Sequence, residues 1–162
     1  PAAAGPSSLR MSIGIHEGPV ALGIVGNASR WDASIIADAV NTSSRIESMT
    51  RILGGEILVS EEYLNGTNVR HKFLTRDLGA HQIRGRKGYL QVVEVLDALS
   101  DDERKSREVT SSDFSEGLVH YKAGDLYASM SCFSRVLSVV PGDQAALYYL
   151  GRISQRLQGL PH

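Results

Sequence analysis

The hydrophobic period of this chain changes near Ser100, and that change divides what it can fold into. Before it, Leu9, Met11, Ile13 and Ile15 alternate with Arg10, Ser12, Gly14 and His16, the period of a half-buried strand. Beyond it, Phe114, Leu118, Tyr121, Leu126, Met130, Phe133, Leu137 and Pro141 recur as on the faces of a helical hairpin. The chain therefore reads as an α+β piece followed by an all-α piece.

Within the first piece, Glu17-Gly18-Pro19 breaks the opening strand, and a second apolar strand from Val20 to Val25 stops at Gly26-Asn27. These two strands are expected to pair as a hairpin. Asp38 serves as a helix cap, and the helix runs to about Leu53, where Gly54-Gly55 ends it, with Ala39, Ile46, Met49 and Leu53 on its apolar arc. Glu56 to Ser60 is a short buried strand, and Ser60 with Glu61-Glu62 opens a brief helix that Gly66 closes. Phe73-Leu74, His81 to Arg84 and Tyr89 to Leu96 supply the remaining strands, with Gly85-Arg86-Lys87-Gly88 as the last turn. Asp101 to Ser112 is charged or polar except for Val109 and reads as a linker or an exposed helical connection. The hairpin beyond turns at Gly124-Asp125, and Pro141-Gly142 separates it from a third helix, Gln144 to Leu157.

Composition narrows the functional classes. With 17 basic and 18 acidic side chains in 162 residues, the chain has no global field for nucleic acid or anionic membrane, so any anion binding is local. One cysteine, Cys132, excludes an internal disulfide and a cysteine metal cage, and suits a reducing, cytoplasmic setting. No apolar run reaches about 18 residues, so no membrane-spanning segment is expected. Pro1 to Ser8 reads as a flexible lead rather than a signal peptide, and the lack of an initiator methionine leads to the expectation of upstream sequence.

The residues with most chemistry lie on the long helix. Asn41 and Arg45 are one turn apart and project from one face, offering an amide beside a fixed positive charge. A reaction that builds negative charge on phosphate oxygens uses that pair of groups. By itself the spacing is ordinary for solvated surface. Arg84, Arg86 and Lys87 form a compact basic cluster in the glycine turn, for which a solvated hairpin tip is the plain alternative. His16, at a strand end with no second ligand spaced to join it, reads as a hydrogen-bonded structural residue. The glycines at 14, 18, 23 and 26 fit hairpin geometry rather than dinucleotide or P-loop spacing.

The stretch from Leu9 to Asp97 resembles the C-terminal part of the catalytic domain of class III adenylyl and guanylyl cyclases. The resemblance is carried by Ile13-Gly14-Ile15-His16-Glu17-Gly18-Pro19-Val20, by Gly26 with Arg30 and Asp32, by Ile36-Ala37-Asp38-Ala39-Val40-Asn41 with Ser43-Ser44-Arg45-Ile46-Glu47, and by Ile83-Arg84-Gly85-Arg86 before Val93-Glu94-Val95-Leu96. It implies a ferredoxin-like sheet, head-to-tail homodimers with the site at their interface, and conversion of ATP to cyclic AMP and pyrophosphate. Asn41 would then orient the ribose, Arg45 would stabilise the triphosphate, and Arg86, with Lys87 beside it, would hold the terminal phosphates. Ser34 falls at the purine-reading position and favours ATP over GTP, with a guanylyl cyclase as the alternative.

The resemblance also has gaps. Ala37 replaces a usual glycine, and Ser43-Ser44 replace small apolar residues. The family's metal-binding aspartates belong to an upstream half, so none of the residues here is assigned as a metal ligand, and Mg²⁺ or Mn²⁺ is expected on carboxylates supplied from elsewhere. The C-terminal piece resembles a tetratricopeptide repeat through Tyr121, Gly124-Asp125, Met130, Phe133, Leu137 and Pro141, with Leu150-Gly151 beginning a second unit and Ser129 departing from the usual alanine. Such a hairpin cannot bury its apolar face alone and needs a neighbour.

The expected organisation is a partial cyclase sheet with one main helix at 1–98, a linker at 99–112 and a helical repeat at 113–162. A catalytically silent regulatory or scaffold segment, binding a protein partner through the repeat, is the other reading.

Overall fold

The computed structural model describes residues 11–27, 30–36 and 38–159, the strands at 21–27 and 30–36 by their backbone. Leu9 and the lead before it fall outside the described residues. In chain order the elements are β1 (Ile13–Ile15), β2 (Ala21–Asn27), β3 (Arg30–Ile36), α1 (Asp38–Leu53), β4 (Ile57–Ser60), α2 (Glu61–Gly66), β5 (Thr75–Gln82), β6 (Tyr89–Val95), α3 (Asp101–Val109), α4 (Ser111–Ala123), α5 (Leu126–Val139) and α6 (Gln144–Leu157). A four-stranded sheet runs in the order β1-β4-β6-β5, and β2 and β3 form a separate antiparallel pair.

The expected hairpin between the first two strands is not formed. β1 pairs parallel with β4, placing Ile13 opposite Ile57 and Ile15 opposite Val59. β2 instead pairs forward with β3 from Ala21 opposite Ile36 to Asn27 opposite Arg30. The longer ladder is the physical reason: seven residue pairs join β2 to β3, whereas three-residue β1 offers a short edge and is followed by Pro19, which has no N–H to donate. Phe73 and Leu74 are likewise not a strand. They precede β5 and stand exposed.

Period two along the central strands covers both faces of the sheet. Leu58, Leu90 and Val92 join the larger core, while Val59, Val93 and Val95 turn to the other face and pack with Leu64 of α2. The larger core is continuous from Ile46 and Leu53 of α1, across the sheet, to Phe114, Phe133, Val136, Tyr149 and Ile153 of α4 to α6. The sheet is thus the neighbour that the helical hairpin requires. Met130, placed on the apolar stripe by its spacing, faces outward.

The 99–112 stretch is mostly helix. Ser100 accepts from the Glu103 N–H, and the Glu103 carboxylate accepts from the Ser100 N–H, a reciprocal cap that opens α3. Arg107 on α3 then reaches the buried carboxylate of Asp143, so the segment is tied down.

Two glycines allow elements to meet. Gly79 (φ +88°) lies where the β5–β6 register shifts between Asp77 and Ala80, and a Cβ there would strike the Tyr149 hydroxyl. That hydroxyl donates to the Leu78 carbonyl at 2.7 Å, fastening α6 to the bulged edge strand. Gly14 plays the same part for α1, because a Cβ on it would collide with the backbone at Ser43 and Glu47.

Candidate functional site

Close seating of β1 against α1 at Gly14 fixes the helix rotation that presents Asn41 and Arg45. Thr42, Ile46, Thr50 and Leu53 form its buried face, leaving Asn41 exposed and Arg45 half-buried beside that face. The Arg45 guanidinium lies over the turn between β5 and β6, with Nη1 3.1 Å from where a Cβ on Gly85 would stand. Gly85 has φ +78° and Gly88 φ +87°, and the Arg86 N–H donates to the Ile83 carbonyl at 3.0 Å, so this is a formed turn.

Arg86 is engaged within the chain. Its Nη2 donates to both Glu62 carboxylate oxygens at 2.7 and 3.0 Å, and its Nη1 donates to His16 Nε2 at 3.0 Å. A guanidinium has no acceptor, so His16 Nε2 carries the lone pair and its Nδ1–H donates to Ser60 Oγ at 2.8 Å. Burial, then the Arg86 charge, lowers the His16 pKa and keeps the ring neutral. His16 therefore is a positioning residue for Arg86. Lys87 is exposed in the same turn. Ser34 lies in β3 opposite Gly23, and its side chain falls outside the described residues. The structure thus brings Arg45, Arg86 and Lys87 to one turn.

The described residues fit an Mg²⁺ or Mn²⁺ centre poorly. Among the described residues, the one cluster of three groups able to hold a metal is Glu116, His120 and Cys132, on α4 and α5. Its thiol and imidazole suit a softer ion, whereas Mg²⁺ takes oxygen ligands. Arg135 also occupies it, 3.3 Å from the Cys132 sulfur and 3.2 Å from Glu116.

Two features were outside the reach of sequence reasoning. One is a buried quartet in which Asp143 Oδ2 accepts from Arg76 Nη2 and Arg107 Nη1, both at 2.7 Å, with Glu94 Oε2 3.7 Å from Arg76. Burial pushes the Glu94 carboxyl up and the Arg76 guanidinium down, each against the pull of its opposite charges. The other is a cleft of about 680 Å³ that Arg45 enters from α1, bounded by the end of β5 and by α6.

Fold and site together describe an α+β domain with cationic side chains gathered around one sheet turn. The family model of the adenylate and guanylate cyclase catalytic domain matches residues 2–95. The chain belongs to this family.

A terminal-differentiation-specific adenylate cyclase of Dictyostelium discoideum is 26% identical over 156 residues, 95% of this chain and 7% of the relative. An adenylate cyclase of Anabaena cylindrica is 35% identical over 88 residues, 54% of this chain and 18% of the relative. The chain thus spans less than a fifth of either relative. Among solved structures, a bacterial light-regulated adenylyl cyclase is 26% identical, with 52% of this chain and 23% of that chain covered at a TM-score of 0.43. The guanylate cyclase domain of RhGC from Catenaria anguillulae, in complex with GTP, is 29% identical, with 48% and 40% covered at 0.38.

Proposed function

We propose that this chain is part of an adenylyl cyclase that converts ATP to cyclic AMP and pyrophosphate, at a site completed by a second copy of the domain. The observation that carries the reading is the placement of Asn41 and Arg45 on one face of α1, with Arg45 against the basic turn. In this reading Asn41 orients the ribose by hydrogen bonds, and Arg45 supplies fixed positive charge to the phosphate oxygens as the 3′-oxygen attacks the α-phosphorus. Arg86 and Lys87 hold the terminal phosphates, for which Arg86 exchanges its Glu62 partner for phosphate. Ser34 reads the purine. Mg²⁺ or Mn²⁺, which would activate the hydroxyl and neutralise charge, is expected on carboxylates outside these residues.

The reading treats the chain as the C-terminal part of the catalytic domain, with the helices after Ser100 as a TPR-like repeat. Similarity to the Dictyostelium relative over 95% of the chain supports treating the helices and the cyclase segment together. The test is cyclic AMP production from ATP by a parent extended upstream to a complete domain. Asn41→Ala and Arg45→Ala are each expected to lower turnover about a hundredfold without changing assembly. Unchanged turnover in both would sink the reading. Exchanging Ser34 and comparing ATP with GTP tests the purine assignment.

The second reading is a silent scaffold. Val119 and Tyr127, 66% and 69% exposed on the helical hairpin, favour a protein partner there.

A further inference from the structure

The cleft beside Arg45 concentrates one sign of charge. Among the described residues, four arginines, Arg45, Arg84, Arg152 and Arg156, line it, and no acidic residue does. This is a local field, since the whole chain carries a formal net charge of -1. Among the described residues, Arg45, Arg84 and Arg152 have no carboxylate within ion-pairing distance. Arg156 is held by the protein, donating to the Tyr121 carbonyl at 3.5 Å with its guanidinium 5.0 Å from the Tyr121 ring centre. Guanidiniums sharing a concave wall repel one another unless an anion lies between them.

The remaining wall mixes aliphatic side chains, among them Met49, Ile52 and Ile83, with four tyrosines. Tyr148, half-buried on α6, borders the cleft, and Tyr89 stands 72% exposed at the start of β6. About 680 Å³ falls within the range of roughly 300–1,000 Å³ typical of small-molecule sites. Planar rings beside phosphate-matching forks suit a ligand with an aromatic ring and a phosphate.

We propose that this cleft binds a phosphorylated aromatic small molecule of mononucleotide size, at a site built jointly by the sheet and the C-terminal helices. Arg152, Arg156 and Tyr148 lie beyond residue 95, where the cyclase family match ends. The proposal goes beyond the cyclase reading and does not rest on it, although Arg45 belongs to both.

The test is isothermal titration of the full chain with AMP, inorganic phosphate and adenosine, in EDTA so that metal-dependent binding is removed. Saturable binding of AMP, tighter than that of phosphate or adenosine, is expected. Arg152→Gln with Arg156→Gln should weaken AMP at least about tenfold. Arg84→Gln, at an exposed position where folding is safe, should weaken it several-fold, and Tyr89→Leu should weaken AMP while sparing phosphate. No saturable AMP binding, or AMP binding unchanged in both the double variant and Arg84→Gln, overturns the proposal. So does AMP binding lost in Asn41→Ala but kept in the double variant, which would place the nucleotide at the α1 site instead. Failure of the cyclase reading would show in turnover of the extended parent and leave this titration unaffected.

Discussion

At the scale of single residues, Gly14 and His16 set the geometry that Asn41, Arg45 and Arg86 inherit. Gly14→Ala forces a methyl group into the α1 backbone at Ser43 and Glu47, where no flexible side chain can yield. It is expected to cost about 3 kcal/mol, read from urea unfolding at constant slope. His16 gives a pH dependence of definite sign. Its folded pKa is lowered below 6.5, so protonation favours the unfolded chain. Its contribution to stability is complete above the unfolded value and is lost as pH falls through the lowered folded one. His16→Gln, which keeps an amide to bridge Ser60 and Arg86, should therefore flatten part of the decline in urea midpoint between about pH 7 and about pH 5. His81, lowered in pKa by burial, leaves its own share of that decline in both proteins.

Residue chemistry was legible where it was local. The Asn41–Arg45 spacing and the glycine turn are visible in the sequence, whereas the Arg86 pairing with Glu62 and His16 joins groups that only the folded sheet brings together.

Among the elements, those with local signals were readable. α1, α2 and α4 to α6 announce themselves by helical period and by glycine or polar ends, and Asp125 and Asp143 accept from the Ala128 and Ala146 N–H groups as caps. β3 has a polar–apolar alternation from Arg30 to Ile35, but its abutment on α1 disguises it as the approach to a helix. The partner of β1 was not readable, because parallel pairing with β4 spans the whole of α1. The buried quartet also escapes local reading, since Arg76, Glu94, Arg107 and Asp143 come from three strands or helices and a cap. Asp143→Asn separates the roles of that cap, as the amide oxygen still accepts from Ala146 while the charge facing two buried guanidiniums is gone. A loss of about 3–5 kcal/mol is expected, against almost none if capping alone mattered, since asparagine caps a helix as well as aspartate does. Calorimetric unfolding of the variant beside the native chain distinguishes the two.

For the whole molecule, the continuous core from α1 to α6 predicts one cooperative transition rather than two. Far-ultraviolet and near-ultraviolet circular dichroism should report coincident urea midpoints in the full chain. A chain ending at 99 loses Phe114, Phe133, Val136 and Tyr149 from against the sheet. It is expected to lose its near-ultraviolet signal and to bind a hydrophobic dye, and native-like packing in that shortened chain would show that the sheet closes without the helices. Tyr149→Phe is a milder probe of the same seam. Losing its bond to the Leu78 carbonyl should cost only about 1 kcal/mol, because His81 Nε2 still donates to that oxygen at 2.9 Å.

The seam between sheet and helices is pinned at two separate points, by the Tyr149 hydroxyl at the β5 bulge and by the Asp143 carboxylate against Arg76. Between them the core is continuous from α1 to α6, so the seam has no open line about which to hinge. The C-terminal helices are therefore not built to swing over the sheet like a lid, and a pull on them would be felt through α6 at the cleft wall that Arg152 and Arg156 share with Arg45.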